Sequence, residues 1–214
     1  MNDFEPGHAF APNPIDLVRI VDDDPVICES FCYLMTSEGW SACGYPSAEA
    51  FLEQDDLVRP GCLVLDVQLT GMSGLALQEH LKTIASDLPI IFVSAYGNIE
   101  MAVDAVLRGA CNFIEKPVDE ERLLGVVERA VLRCHQQRHK RLKCQANAEN
   151  WSTLTPREKE VARLIAQGLP NKSIAQVLGV ALNTVQVHRV KIYHKLGLRS
   201  AAQITALLKE VEEA

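Results

Sequence analysis

Leu17-Val18-Arg19-Ile20-Val21-Asp22-Asp23-Asp24-Pro25 is a short, mostly apolar and β-branched run that stops on three carboxylates and a proline. A run of that length and composition, bounded by turn-forming residues, reads as a buried strand. The same grammar recurs downstream. Cys62-Leu63-Val64-Leu65 stops on Asp66, Ile90-Ile91-Phe92-Val93 on Ser94, and Cys111-Asn112-Phe113-Ile114 on Glu115-Lys116-Pro117, with a weaker strand at Ser41–Tyr45. Between them, apolar residues take helical spacing over about 26–37, 48–52, 75–85, 99–107 and 120–134. Strands alternating with helices predict a doubly wound, five-stranded parallel sheet covered on both faces.

Ligands of such sheets bind in the crevice beyond the carboxyl ends of the strands. If the strand order is 2-1-3-4-5, Asp22, Asp23 and Asp24 converge there with Asp66, and Ser94 and Lys116 join them. Clustered carboxylates repel unless a cation binds or some take up protons. Carboxylate oxygens with retained water suit Mg²⁺. Carboxylates, a hydroxyl and an ammonium around one metal suit a phosphoryl group, with Asp66 as nucleophile.

The remainder of the chain has a different character. Residues 1–132 hold 7 Lys+Arg against 22 Asp+Glu, whereas residues 133–214 hold 14 against 6, so an acidic front is followed by a basic back. A compact basic module points to a polyanion such as nucleic acid. With 214 residues, 48% hydrophobic and 23% charged, the chain can build two small cores, which excludes a collagenous or wholly disordered protein. The seven cysteines are scattered without metal-ligand spacing and read as structural or idle thiols. No membrane-spanning run is present, Met1–Pro14 has no basic start leading into an apolar stretch, and a cytoplasmic protein is expected.

The expected organisation is a mobile tail over 1–14, an α/β domain over 15–134, a polar helical linker over 135–150 and an all-α, four-helix domain over 151–214. In the last, Thr155-Pro156-Arg157-Glu158 is a capping box with Pro at the first helical position. A second helix begins near Asn171 and stops at Gly179, and a longer third follows after a short turn, giving helix-turn-helix. On a wheel, the third helix gathers Val185, Ile192 and Leu196 on one face, with His188 at its edge. Val187 and Val190 point the other way, flanked by Thr184, Gln186 and Lys191. Exposed valines beside an amide and an ammonium suit a DNA major groove, where apolar groups meet thymine methyls and amides read adenine.

Residues from about 16 to 134 resemble the receiver domain of two-component response regulators. The resemblance rests on Asp22-Asp23-Asp24-Pro25, Leu65-Asp66, Met72-Ser73-Gly74, Val93-Ser94-Ala95 and Phe113-Ile114-Glu115-Lys116-Pro117. It implies phosphate transfer from a sensor histidine kinase to Asp66. It also implies Mg²⁺ held by Asp23, Asp66 and the Gln68 carbonyl, with Asp22 acting through water. Ser94 would contact the phosphoryl oxygens, Lys116 would pair with the phosphate across a cis Lys116-Pro117 bond, and Phe113 would act as a switch. Receivers usually carry Met-Pro three and four residues beyond the phosphoacceptor. This chain has Leu69-Thr70, which is expected to loosen the loop before Gly71.

Residues from about 154 to 208 resemble the LuxR-type domain of NarL/FixJ regulators, through Leu154–Glu158, Asn171-Lys172, Ile174-Ala175, Leu178-Gly179, Thr184-Val185, Val187-His188 and Lys195-Leu196-Gly197. The resemblance implies base reading by the third helix, phosphate contacts from Lys172, Thr184, His188 and Lys195, and pairing of two copies through the fourth helix. Ala181 and Gln186 depart from the usual Ser and Lys. The implied whole is a transcription regulator of activator type that dimerises on phosphorylation, with promoter DNA and RNA polymerase as partners. Two alternatives compete: a Mg²⁺-dependent phosphatase or dehalogenase, for which no cap domain is visible, and a DNA-binding scaffold with a silent receiver.

Overall fold

The computed structural model describes residues 12–95 and 99–212. The tail expected over 1–14 falls almost wholly outside the described residues. The chain divides between Arg138 and His139 into two compact units.

In the first unit the elements run β1 (Leu17–Val21), α1 (Pro25–Ser37), β2 (Ser41–Tyr45), α2 (Ala48–Gln54), β3 (Gly61–Asp66), α3 (Gly74–Thr83), β4 (Ile90–Ser94), α4 (Ile99–Leu107), β5 (Asn112–Glu115) and α5 (Glu120–Ser152). The sheet is parallel throughout, in the order β2-β1-β3-β4-β5. Alternate side chains of a strand face opposite sides, and two cores follow. Val18, Ile20, Cys62 and Val64 pack with Val126, Val127 and Val131 of α5. Leu63, Leu65 and Phe92 pack on the other face with Phe51 of α2 and Leu77 and Leu81 of α3.

Arg19 interrupts the apolar run of β1 and is nonetheless fully buried. Its Nε pairs with Asp55 at 2.7 Å, and its other nitrogens donate to the carbonyls of Leu17, Asp56 and Arg59. Asp24, Ser47 and Ser73 cap α1, α2 and α3 by accepting from the amides of Val26, Ala50 and Ala76. The helix α5 runs far past Cys134, through the stretch expected to be a polar extension or linker. Arg, Lys, Gln and Ala favour helix, and no Pro or Gly breaks it.

The second unit holds the end of α5 with α6 (Pro156–Ala166), α7 (Asn171–Leu178), α8 (Leu182–Leu196) and α9 (Ala201–Glu212). Its core gathers Trp151, Val161, Ile165, Ile174, Val185, Ile192, Leu196, Ile204 and Leu207. The capping box of α6 is present in both directions. Gly179 and Gly197 end α7 and α8 in left-handed backbone, at φ 63° and 65°. All seven cysteines are free thiols.

Candidate functional site

The register sets Val21 beside Leu65, so Asp22 leaves β1 next to Asp66 at the end of β3. Likewise Ser94 pairs with Glu115, which brings Lys116 round to the same rim. The Lys116 ammonium lies 2.7 Å from Asp22 Oδ2 and 2.6 Å from Asp66 Oδ2. Asp22, Asp66 and Ser94 are all buried. The Lys116-Pro117 bond is cis.

Burial pushes the Asp22 carboxyl up, against the pull of Lys116. Burial also opposes the Lys116 charge, but hydrogen bonds to Asp22 and Asp66 outweigh it and hold the ammonium above the usual lysine range. Asp66 Oδ1 accepts from the Gln68 amide at 2.9 Å. Gly74 stands where any Cβ would collide with the Asp66 carbonyl, which explains the glycine in Met72-Ser73-Gly74. Phe113 is half-buried, its ring 6.4 Å from that of Phe92.

Asp23 is exposed and turned to another partner. Its Oδ2 accepts the Thr70 amide at 3.0 Å and the Thr70 hydroxyl at 2.6 Å. The hydroxyl bond holds the Asp23 carboxyl below its ordinary range. On the other side of Gly71, the Met72 amide donates to Glu49 Oε1 at 2.8 Å. The loop expected to loosen without its proline is instead tied to two carboxylates. No spacing rule would have found Thr70 or Glu49.

Among the described residues no three side chains of His, Cys, Asp or Glu converge as a ready-made metal site. Mg²⁺ does not need them, since it takes one or two carboxylates and keeps several waters. Three carboxylates against one ammonium leave negative charge uncompensated at this rim, so the donor set fits a hard cation.

In the second unit, α8 buries Val185, Ile192 and Leu196 and exposes Thr184, Gln186, Val187, Val190 and Lys191, as the wheel predicts. Val190 is 70% exposed, far more than a core valine would be. Lys172 is exposed on α7. His188 is half-buried, with Nδ1 enclosed and without a hydrogen-bond partner among the described residues. Lys195 is placed differently from the rest. Its ammonium is 2.7 Å from the buried Glu158 and 3.2 Å from the Thr153 carbonyl, inside the unit's own framework. Arg189, not singled out from the sequence, lies over the Tyr193 ring at 5.6 Å.

A family profile described as "Response regulator receiver domain" matches residues 18–128, and one described as "Bacterial regulatory proteins, luxR family" matches residues 152–208. The chain belongs to the response regulator family. Response regulator protein TodT of Pseudomonas putida is 35% identical over 198 residues, covering 92% of this chain and 87% of its own length. Transcriptional regulatory protein TdiR of Thauera aromatica is 36% identical over 187 residues, covering 87% and 82%. The solved structure of response regulator StyR superposes with a TM-score of 0.80 at 39% identity, covering 91% of this chain and 98% of that one. This response regulator therefore joins a receiver to a LuxR-type DNA-binding domain and is a phosphorylation-regulated transcription regulator. Its relatives are named as regulators, not enzymes. No helix among the described residues is long and apolar enough to cross a membrane.

Proposed function

We propose that this response regulator is a cytoplasmic transcription activator, phosphorylated on Asp66 by a sensor histidine kinase and thereby paired on promoter DNA. The observation that carries the reading is the Lys116 ammonium shared between buried Asp22 and Asp66 at the rim of the sheet.

The Asp66 carboxylate attacks the phosphorus of a phosphohistidine. An O–P bond forms, the N–P bond breaks, and the departing imidazole nitrogen keeps the electron pair and takes a proton. Asp22, Asp23, Asp66 and the Gln68 carbonyl would hold Mg²⁺, which when bound offsets charge on the phosphoryl oxygens. Lys116 pairs with the new phosphate and Ser94 donates to one of its oxygens. Phe113 turns inward as Ser94 moves. The modification adds about −1.5 to −2 charges, so it competes directly with Asp22 for the ammonium.

The receiver of residues 15–134 is joined by the polar helical segment 135–150 to the DNA-binding domain of 151–214. There α8 enters the major groove, with Gln186, Val187, Val190 and Lys191 towards bases and Lys172, Thr184 and His188 near phosphates. Lys195 supports α8 through Glu158 and reaches phosphate only if that ion pair opens. Two copies paired through α9 would double these contacts and recruit RNA polymerase. The test is labelling with acetyl phosphate and Mg²⁺, followed by gel shift on the DNA flanking the protein's own gene. Wild type should label and bind more tightly once labelled, and Asp66→Asn should do neither. Equal DNA affinity with and without the label would defeat the reading.

A further inference from the structure

We propose that Thr70 is a positioning residue for Asp23, holding that carboxylate ready for the cation before the cation arrives. The inference rests on the receiver reading above and assigns a role to the position where this chain departs from the usual proline.

Asp23 lies in the loop after β1, and Thr70 lies four residues past Asp66 in the loop after β3. Their two hydrogen bonds, at 3.0 Å from the amide and 2.6 Å from the hydroxyl, cross 47 residues of chain to tie the two loops that supply ligands. Lys116 forms its ion pairs with Asp22 and Asp66, not with Asp23. Without Thr70, Asp23 would be an exposed side chain free to change rotamer. With it, both Thr70 donors meet the same oxygen, Oδ2, and the carboxylate is held in one orientation.

The anchoring loop is itself held. Glu49 Oε1 accepts the Met72 amide at 2.8 Å, and a Cβ at Gly71, where φ is +86°, would lie 2.8 Å from that same oxygen. Gly71 thus combines a left-handed backbone, which favours glycine, with the close approach of a carboxylate at the end of a flexible side chain. Proline at position 70 would have neither the N–H nor the hydroxyl, so it could make neither bond to Asp23. This chain therefore replaces the stiffness of a ring with a hydrogen-bonded latch. A ligand fixed in its bound orientation binds with less ordering cost.

The experiment is a calorimetric Mg²⁺ titration of the full-length, unphosphorylated protein, with acetyl phosphate labelling rates measured alongside. Thr70→Val keeps the shape and the amide but removes the hydroxyl, and is expected to weaken Mg²⁺ binding between about threefold and tenfold, the scale of one ordinary hydrogen bond, because Asp23 is exposed to solvent. Thr70→Ser should bind as wild type. At saturating Mg²⁺ the labelling rate of Thr70→Val should return to that of wild type. If Thr70→Val fails to fold, Thr70→Ala takes its place with the same expectation.

Unchanged Mg²⁺ affinity in the variant overturns the proposal. So does a labelling defect that saturating Mg²⁺ leaves in place, which would assign the latch to the loop rather than to the cation. Wild-type protein without saturable Mg²⁺ binding removes the proposed Mg²⁺-dependent function and this inference together, and is told apart because it needs no variant.

Discussion

The receiver's acidic rim and the solvent-facing side of α8 pose opposite problems. At the rim, Asp22, Asp66 and Ser94 are at most 9% exposed, and the two carboxylates share one ammonium at 2.7 and 2.6 Å. On α8 the outward side chains are open to solvent, with Val187 at 46% and Val190 at 70% exposure. Desolvated charge must be answered within the protein, so each rim residue is fixed by the others. Under the proposed function the open face is answered by DNA, and its residues would act as a set. Single substitutions should therefore be costly at the rim and modest on the face.

Lys116→Met tests the costly side. Removing the ammonium leaves two adjacent carboxylates partly buried and unpaired, and breaking such an arrangement costs about 2–3 kcal/mol at this half-open rim. Urea melts at pH 7 should show that loss in the receiver transition. It should shrink with added Mg²⁺, and also as pH falls and one carboxylate takes a proton. In the wild type the folded Lys116 titrates above its ordinary value, so its stabilisation is present at neutral pH and fades only as pH rises through the folded value. A variant as stable as wild type at pH 7 would break the contrast between rim and face.

Gln186→Ala tests the other side. It should leave stability alone and relax discrimination at one base position by about 1–3 kcal/mol, read by selection from randomised DNA sites. An unchanged base preference would remove Gln186 from the reading set.

What the sequence discloses follows the same division. β1, β3 and β4 were legible because full burial demands mostly apolar runs, and Asp22, Asp66 and Ser94 stand where those runs stop. The α8 face was legible because three buried residues at helical spacing fix where everything else points. Contacts across long separations were not. Thr70 meets Asp23 across 47 residues with no periodicity to announce it. Arg19 sits fully buried in what reads as an apolar strand, because backbone carbonyls of Leu17, Asp56 and Arg59 answer its donors, and carbonyls have no letter in a sequence. Lys195 reads as a phosphate contact by resemblance, whereas its pairing with Glu158 depends on how α6 and α8 pack. The polar half of α5 was legible as helix from its Arg, Lys, Gln and Ala and its lack of Pro and Gly, but not its continuity with the receiver's last helix, because apolar periodicity fades after Val131.

The Glu158–Lys195 pair is a rim-like device inside the helical unit. The Lys195 hydrogen bond, opposed by burial and aided by the Thr155 amide, holds the Glu158 carboxyl down to about 2. A depressed folded value means the stabilisation is complete above the unfolded carboxylate range and is lost as pH falls through about 2. Glu158→Gln should lose about 1–2 kcal/mol at pH 7 and converge on wild type in acid, once the pair is discounted for its partly exposed lysine. Thermal melts of the full chain at pH 7 and pH 2.5 should show the gap narrowing, with full convergence expected only below about pH 2.

The smallest expected effect concerns helix starts. In the receiver, Asp24, Ser47 and Ser73 cap their helices with side-chain oxygens, and Thr155 does the same for α6. The two helices of the helix-turn-helix start instead at Pro170 and Ala181, neither of which offers a side-chain cap. Ala181 already has the extended backbone of an N-cap, with φ −69° and ψ 148°, so a hydroxyl there needs no rearrangement to accept an amide of the first turn. Ala181→Ser should therefore stabilise the helical unit by about 0.5–1 kcal/mol. The receiver's melting transition should not move. If stability fails to rise, the first-turn amides of α8 are already satisfied by water at no cost, and the missing cap is neutral rather than a concession to whatever α8 binds.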